Sequence, residues 1–101
     1  MKKKGYTYIV TNHTNTVLYT GVTNDLIRRI NEHKEGRGSL FASRYHCNKL
    51  IYFEPFPDIE QAIKREKQIK SYPRKWKENL INGLNKDWKD LGVSLLGNPE
   101  L

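Results

Sequence analysis

The chain has 101 residues, with 18 Lys and Arg against 11 Asp and Glu, for a formal net charge of +7. That length fits one domain able to bury its own core, and no apolar run approaches the ~20 residues of a membrane span. The lone Cys47 excludes an internal disulfide or a cysteine-based zinc cluster, and residues 1–8 are too polar for a signal-peptide core, so a cytoplasmic protein with a reduced thiol is expected.

Tyr6 to Asn12 is rich in β-branched and aromatic residues and predicts a strand. His13-Thr14-Asn15 supplies turn chemistry, and Thr16 to Gly21 predicts the return strand of a hairpin. Thr23, Asn24 and Asp25 offer N-caps for a helix running to about Lys34. Glu35 to Asn48, with Gly36, Gly38 and Ser39, breaks the periodicity. Leu50 to Phe56 predicts a third strand, which Pro55 confines to an edge or an end. Asp58 caps a second helix from Ile59 to about Ser71, closed by Tyr72-Pro73. Residues 74–84 and 87–91 predict further short helices, with Trp76, Leu80 and Leu84 on one side. The fold class is therefore α+β: a three-stranded antiparallel sheet flanked by helices, in the order β-β-α-β-α plus short C-terminal helices. One domain is expected over residues 1–91, followed by a loosely ordered tail at 92–101.

Residues that break amphipathic patterning carry the most information, because local rules are usually violated at functional sites. In the second helix Ile59, Ala62, Ile63 and Ile69 form an apolar stripe, and Glu66 falls within it. Such a carboxylate either snorkels to Lys70 one turn on or serves as a metal ligand. In the first helix Arg29 and His33 share the side of Leu26 and Ile30, whereas Arg28 points to solvent. Arg29 at that edge either covers apolar surface or clamps a phosphate. Tyr6 and Tyr8 share a strand face, Tyr19 ends the return strand, and Gly21 permits a close approach there. Tyrosines also occur in strands simply because they pack well on a pleat.

Together these residues resemble the GIY-YIG nuclease family, in its small single-domain bacterial branch. Tyr6-Thr7-Tyr8 stands for the first signature and Tyr19-Thr20-Gly21 for the second, with ten residues between Tyr8 and Tyr19. The segment from Asn24 to His33 matches the family's next helix, with Arg29 in the place of its essential arginine. The segment from Ala62 to Lys70 matches the helix carrying its metal-binding glutamate, here Glu66. The likeness runs from about Lys4 to Leu91.

What the resemblance implies is metal-assisted hydrolysis of phosphodiesters, with Glu66 holding one Mg²⁺ or Mn²⁺. Tyr19 or Tyr8 would act as general base, with Arg29 lowering the phenol pKa and neutralising transition-state charge. His33 matches a tyrosine or histidine position of that network and is an alternative base, its pKa suiting neutral pH without help. The first signature lacks its glycine and isoleucine, and Val22 stands where many relatives have a lysine. Asn79 is the nearest counterpart of a late family asparagine.

A sequence pI near 9.6 points to a polyanionic partner, most simply nucleic acid, although charge does not separate DNA from RNA. Phosphate contacts are expected from Arg28, Lys34, Arg37 and Arg44, with Tyr45 stacking on an unpaired base. The expected activity is a DNA endonuclease of low or structure-based specificity. The alternatives are a nucleic-acid-binding module that no longer cuts and an interaction protein that only shares the fold.

Overall fold

The computed structural model describes residues 3–96. The elements run in the order β1 (Gly5–Thr11), β2 (Leu18–Thr23), α1 (Leu26–Lys34), α2 (Leu40–Arg44), β3 (Lys49–Phe56), α3 (Ile59–Lys70), α4 (Arg74–Leu84) and α5 (Leu91–Leu95). The sheet is antiparallel in the order β2-β1-β3, so β1 is central and the other two strands are edges. This is the α+β arrangement expected from the pattern of the chain.

The alternation of β1 divides the core in two. Tyr8 and Val10 join Leu26, Ile30, Ala42, Cys47 and Leu50 on the face covered by α1, α2 and α5. Ile9 joins Ile51, Tyr52, Ile69 and Ile81 on the face covered by α3 and α4. A register shift between Ile9 and Val10 leaves Ile51 as the extra residue of β3, so the neighbours Ile51 and Tyr52 both enter the second cluster. Each fully buried Ile or Leu in these clusters stabilises the fold by about 1.5–3 kcal/mol.

Caps and turns set the element ends. Asp25, rather than Thr23 or Asn24, caps α1 by accepting from Arg28 N–H at 3.0 Å, and Asp58 caps α3 by accepting from Gln61 N–H at 2.9 Å. The hairpin turn is built on Asn12, whose Oδ1 accepts from Thr16 N–H at 2.9 Å and Val17 N–H at 3.1 Å. Those contacts draw residues 16–17 into the turn, so β2 starts at Leu18 and runs on to Thr23, two residues beyond the predicted end.

Three further elements differ from expectation. The aperiodic segment contains the short helix α2, capped by Ser39, which accepts from Ala42 N–H at 3.0 Å. In α4 the residue that enters the core is Ile81, while Trp76 and Leu84 are exposed. The helix expected at 87–91 lies instead at α5, because Trp88 adopts a left-handed φ of 52° and Asp90 is the cap. Part of the expected loose tail therefore has structure: Gly92 is buried, and Leu95 and Leu96 pack against the first core cluster. Residues 97–101 lie outside the described residues.

Asp90 also ties this C-terminal segment to the sheet. Its Oδ1 accepts from the Leu50 N–H at 3.1 Å and the Gly92 N–H at 2.9 Å, and its carboxylate pairs with Lys34. Asp90→Ala leaves the N–H of buried Leu50 without that acceptor and uncaps α5. The expected loss is about 1–3 kcal/mol of unfolding free energy, read by urea denaturation.

Candidate active site

Tyr8 sits at the centre of β1 with no solvent exposure, on the face turned toward α1. Its Oη shares a 2.9 Å hydrogen bond with Nε2 of His33, itself buried in the last turn of α1. The geometry depends on two glycines. Gly21 lies directly opposite Tyr8 in the β1–β2 register, and a Cβ there would stand 2.4 Å from Tyr8 Oη. Gly38 lies against the far side of the imidazole, where a Cβ would stand 2.2 Å from His33 Nδ1. The close approach expected at Gly21 is thus made by the Tyr8 side chain itself.

Arg29 stands one turn before His33, and its Nε donates to Glu32 Oε1 at 2.9 Å. Burial pushes the Tyr8 phenol up to about 12; hydrogen bonding and the charge of Arg29 pull it down but do not win. Arg29 thus lowers the Tyr8 phenol as expected, but burial outweighs it. Burial, followed by the positive charge of Arg29, lowers His33 to about 4. His33 is therefore a neutral imidazole throughout the physiological range, not a group titrating near pH 7. Among the described residues its Nδ1 is buried without a hydrogen-bond partner.

The His33 value has a stability consequence. A depressed folded-state pKa favours the neutral form, so the contribution is fully present above the unfolded value of about 6.5 and is lost as pH falls toward 4. Across that window the unfolded chain binds the extra proton. The expected loss is about 3 kcal/mol. Urea titrations from pH 4 to 8 check it, with His33→Gln flattening that part of the profile.

Tyr19 extends the cluster outward from β2. Its ring lies 5.9 Å from that of His33 and is stacked on Phe41 of α2 at 6.1 Å; Phe41 in turn contacts Tyr45 at 4.8 Å. Phe41 and Tyr45 are each nearly half exposed, 48% and 45%, so this row runs from the buried pair to the surface.

Glu66 comes from the other side of the sheet. Helix α3 is fastened there by Thr7 Oγ1, which donates to the Ala62 carbonyl at 2.7 Å. Only 13% of the Glu66 side chain is exposed, and its Oε2 accepts from Lys70 Nζ at 2.7 Å. Lys70 Nζ lies 5.9 Å from the centroid of the Tyr19 ring. Through Lys70 the Glu66 carboxylate is linked to Tyr19 of β2, while Tyr8, Arg29 and His33 belong to the other face of the sheet. Of the two readings of Glu66, the structure shows the pair with the i+4 ammonium, made by a carboxylate that is largely buried.

The expected phosphate contacts are less uniform. Arg28 is exposed near Asn24 and Glu32, Arg37 is exposed and paired with Glu35, and Arg44 is exposed. Lys34 is drawn to Asp90 instead. Asn79 lines a groove with Tyr72, Trp76 and Leu80 that shares no residue with the tyrosine–histidine cluster. A second groove, of about 370 Å³ between Tyr6, Asp25, Phe53 and Leu95, also misses that cluster.

Among the described residues no group of three or more His, Cys, Asp or Glu could hold a metal ion. A single carboxylate nevertheless fits Mg²⁺ or Mn²⁺, hard ions that keep several waters and complete their shell with substrate phosphate. Glu32, Gly38 and Phe41 were not legible as parts of the site, whereas Lys70 was legible as the i+4 partner of Glu66. The i, i+3 spacing of Arg29 and Glu32 was a further available signal.

Residues 4–79 match the GIY-YIG catalytic domain. The chain is 40% identical over 75 residues to a UPF0213 protein of Haloquadratum walsbyi, covering 74% of this chain and 83% of that one. It is 37% identical over 79 residues to a UPF0213 protein of Staphylococcus saprophyticus, covering 78% and 95%. Among solved structures, it is similar to the solution NMR structure of a UPF0213 protein from Bacillus halodurans. That match has a TM-score of 0.54 and 28% identity, and covers 89% of this chain and 95% of the other.

Proposed function

The chain belongs to the GIY-YIG family, and on that premise we propose that it is a divalent-metal-dependent endonuclease hydrolysing DNA phosphodiester bonds with low or structure-based specificity. The observation that carries this reading is the 2.9 Å contact between Tyr8 Oη and a neutral His33 Nε2, with Arg29 beside it. A phenol pushed up to about 12 does not ionise by itself at neutral pH. It can accept a proton from the attacking water as it passes its own to His33 Nε2, which receives it when the imidazole carries its proton on Nδ1. An incoming phosphodiester offsets the Arg29 charge that helps hold His33 low, so substrate itself makes the imidazole a better acceptor. Arg29, held by Glu32, faces the charge that develops on the phosphate oxygens. Glu66 would hold the divalent ion, which supplies Lewis-acid polarisation of the phosphate when bound. Arg28, Arg37, Arg44 and Tyr45 supply the exposed part of the nucleic-acid surface, and a cytoplasmic setting belongs to the same proposal.

The test is nicking of supercoiled plasmid and of branched and single-stranded DNA with Mg²⁺, Mn²⁺ or chelator. Chelator-sensitive cutting is the expected result. A second reading, a nucleic-acid-binding module without catalysis, draws on the altered first signature and on Val22. Salt-dependent binding with no cutting under any condition would establish it instead.

A further inference from the structure

We propose that Lys70 is a positioning cation that occupies Glu66 in the metal-free protein and must leave that carboxylate when a divalent ion binds, moving its charge onto the Tyr19 side of the site. The proposal rests on the reading of Glu66 as a metal ligand. Lys70 Nζ is 2.7 Å from Glu66 Oε2 and 5.9 Å from the centre of the Tyr19 ring, so one ammonium already addresses both halves of the site. Glu66 is 13% exposed, leaving little room for an ion and an ammonium on the same oxygen. Lys70 is half exposed at 51%, with a flexible stem able to swing its charge without disturbing α3. Arg74, the next cation along the chain after this helix, cannot take its place. It donates to the Thr16 carbonyl at 2.7 Å and the Asn15 carbonyl at 2.8 Å, and pairs with Glu78.

Two opposite effects of one substitution follow. Without the ammonium, Glu66 is open and a divalent ion meets no competing cation, so it binds more tightly. Without the released charge beside Tyr19, hydrolysis at saturating metal is slower. The experiment measures Mn²⁺ binding by electron paramagnetic resonance and plasmid nicking at saturating Mn²⁺ for wild type, Lys70→Gln and Lys70→Arg. For Lys70→Gln, Mn²⁺ affinity is expected to rise roughly 3- to 10-fold. Its cutting rate is expected to fall on the order of 10-fold or more, and Lys70→Arg to restore much of the rate. Thermal unfolding near the wild-type midpoint would show that the half-exposed substitution leaves the fold intact. Unchanged Mn²⁺ affinity in Lys70→Gln, with wild-type Mn²⁺ binding still abolished by Glu66→Gln, overturns the role of Lys70 alone. Wild-type binding that Glu66→Gln does not alter overturns the metal-ligand reading, and this proposal with it.

Discussion

Glu66→Gln is expected to lower metal-dependent nicking by 10²-fold or more while DNA binding and the fold persist. The substitution keeps the shape of the side chain and removes its charge. Its ion-pair partner Lys70 is 51% exposed, so it can turn to water instead of being stranded in the core. That asymmetry separates catalytic loss from misfolding, because the substitution leaves no buried charge without its partner. Gel-shift titrations and thermal unfolding beside the nicking assay make the check. Retention of wild-type cutting by Glu66→Gln would remove the carboxylate from the reaction.

Tyr8→Phe is expected to cost ~10²-fold or more in rate, and more than Tyr19→Phe. The ranking comes from geometry. Tyr8 Oη is in contact with a buried imidazole, whereas Tyr19 makes ring contacts with His33 and Phe41 that a phenylalanine would largely keep. Tyr8→Phe also strips Nε2 of the Tyr8 hydroxyl in a ring whose Nδ1 already has no partner. A stability loss of about 1–3 kcal/mol should accompany the rate loss. Single-turnover cutting rates, taken where urea titrations show both variants fully folded, separate the two effects. A larger loss in Tyr19→Phe would transfer the base to Tyr19.

Much of this was legible from the chain because two periodicities were clear. Tyr8, Ile30 and His33 fall where strand alternation and helical spacing put them, and Glu66 interrupts an apolar stripe of which Ala62 and Ile69 are fully buried. Helix α2 escaped because five residues carry no readable helical period, although Ser39 ahead of Leu40 was a legitimate cap signal. The start of β2 was misplaced because a side chain, Asn12, captures backbone N–H groups that β-propensity alone assigns to a strand. The ionisation state of the site was the hardest part. Arg29 was visible as a neighbour of the phenol, but sequence does not reveal that Tyr8 is completely buried, and desolvation outweighs the arginine. The same burial removes His33 from the neutral titration range.

That α1 and α3 grip opposite faces of one thin sheet has a bearing on how such a protein could diverge. Arg29 and His33 hang from α1 and Glu66 from α3, and Lys70 of α3 approaches Tyr19 of β2 between them. Either wing can drift under mutation while its counterpart stays packed. Loss of the Glu66 wing would leave the Tyr8–His33 contact and the exposed Arg28, Arg37 and Arg44 in place.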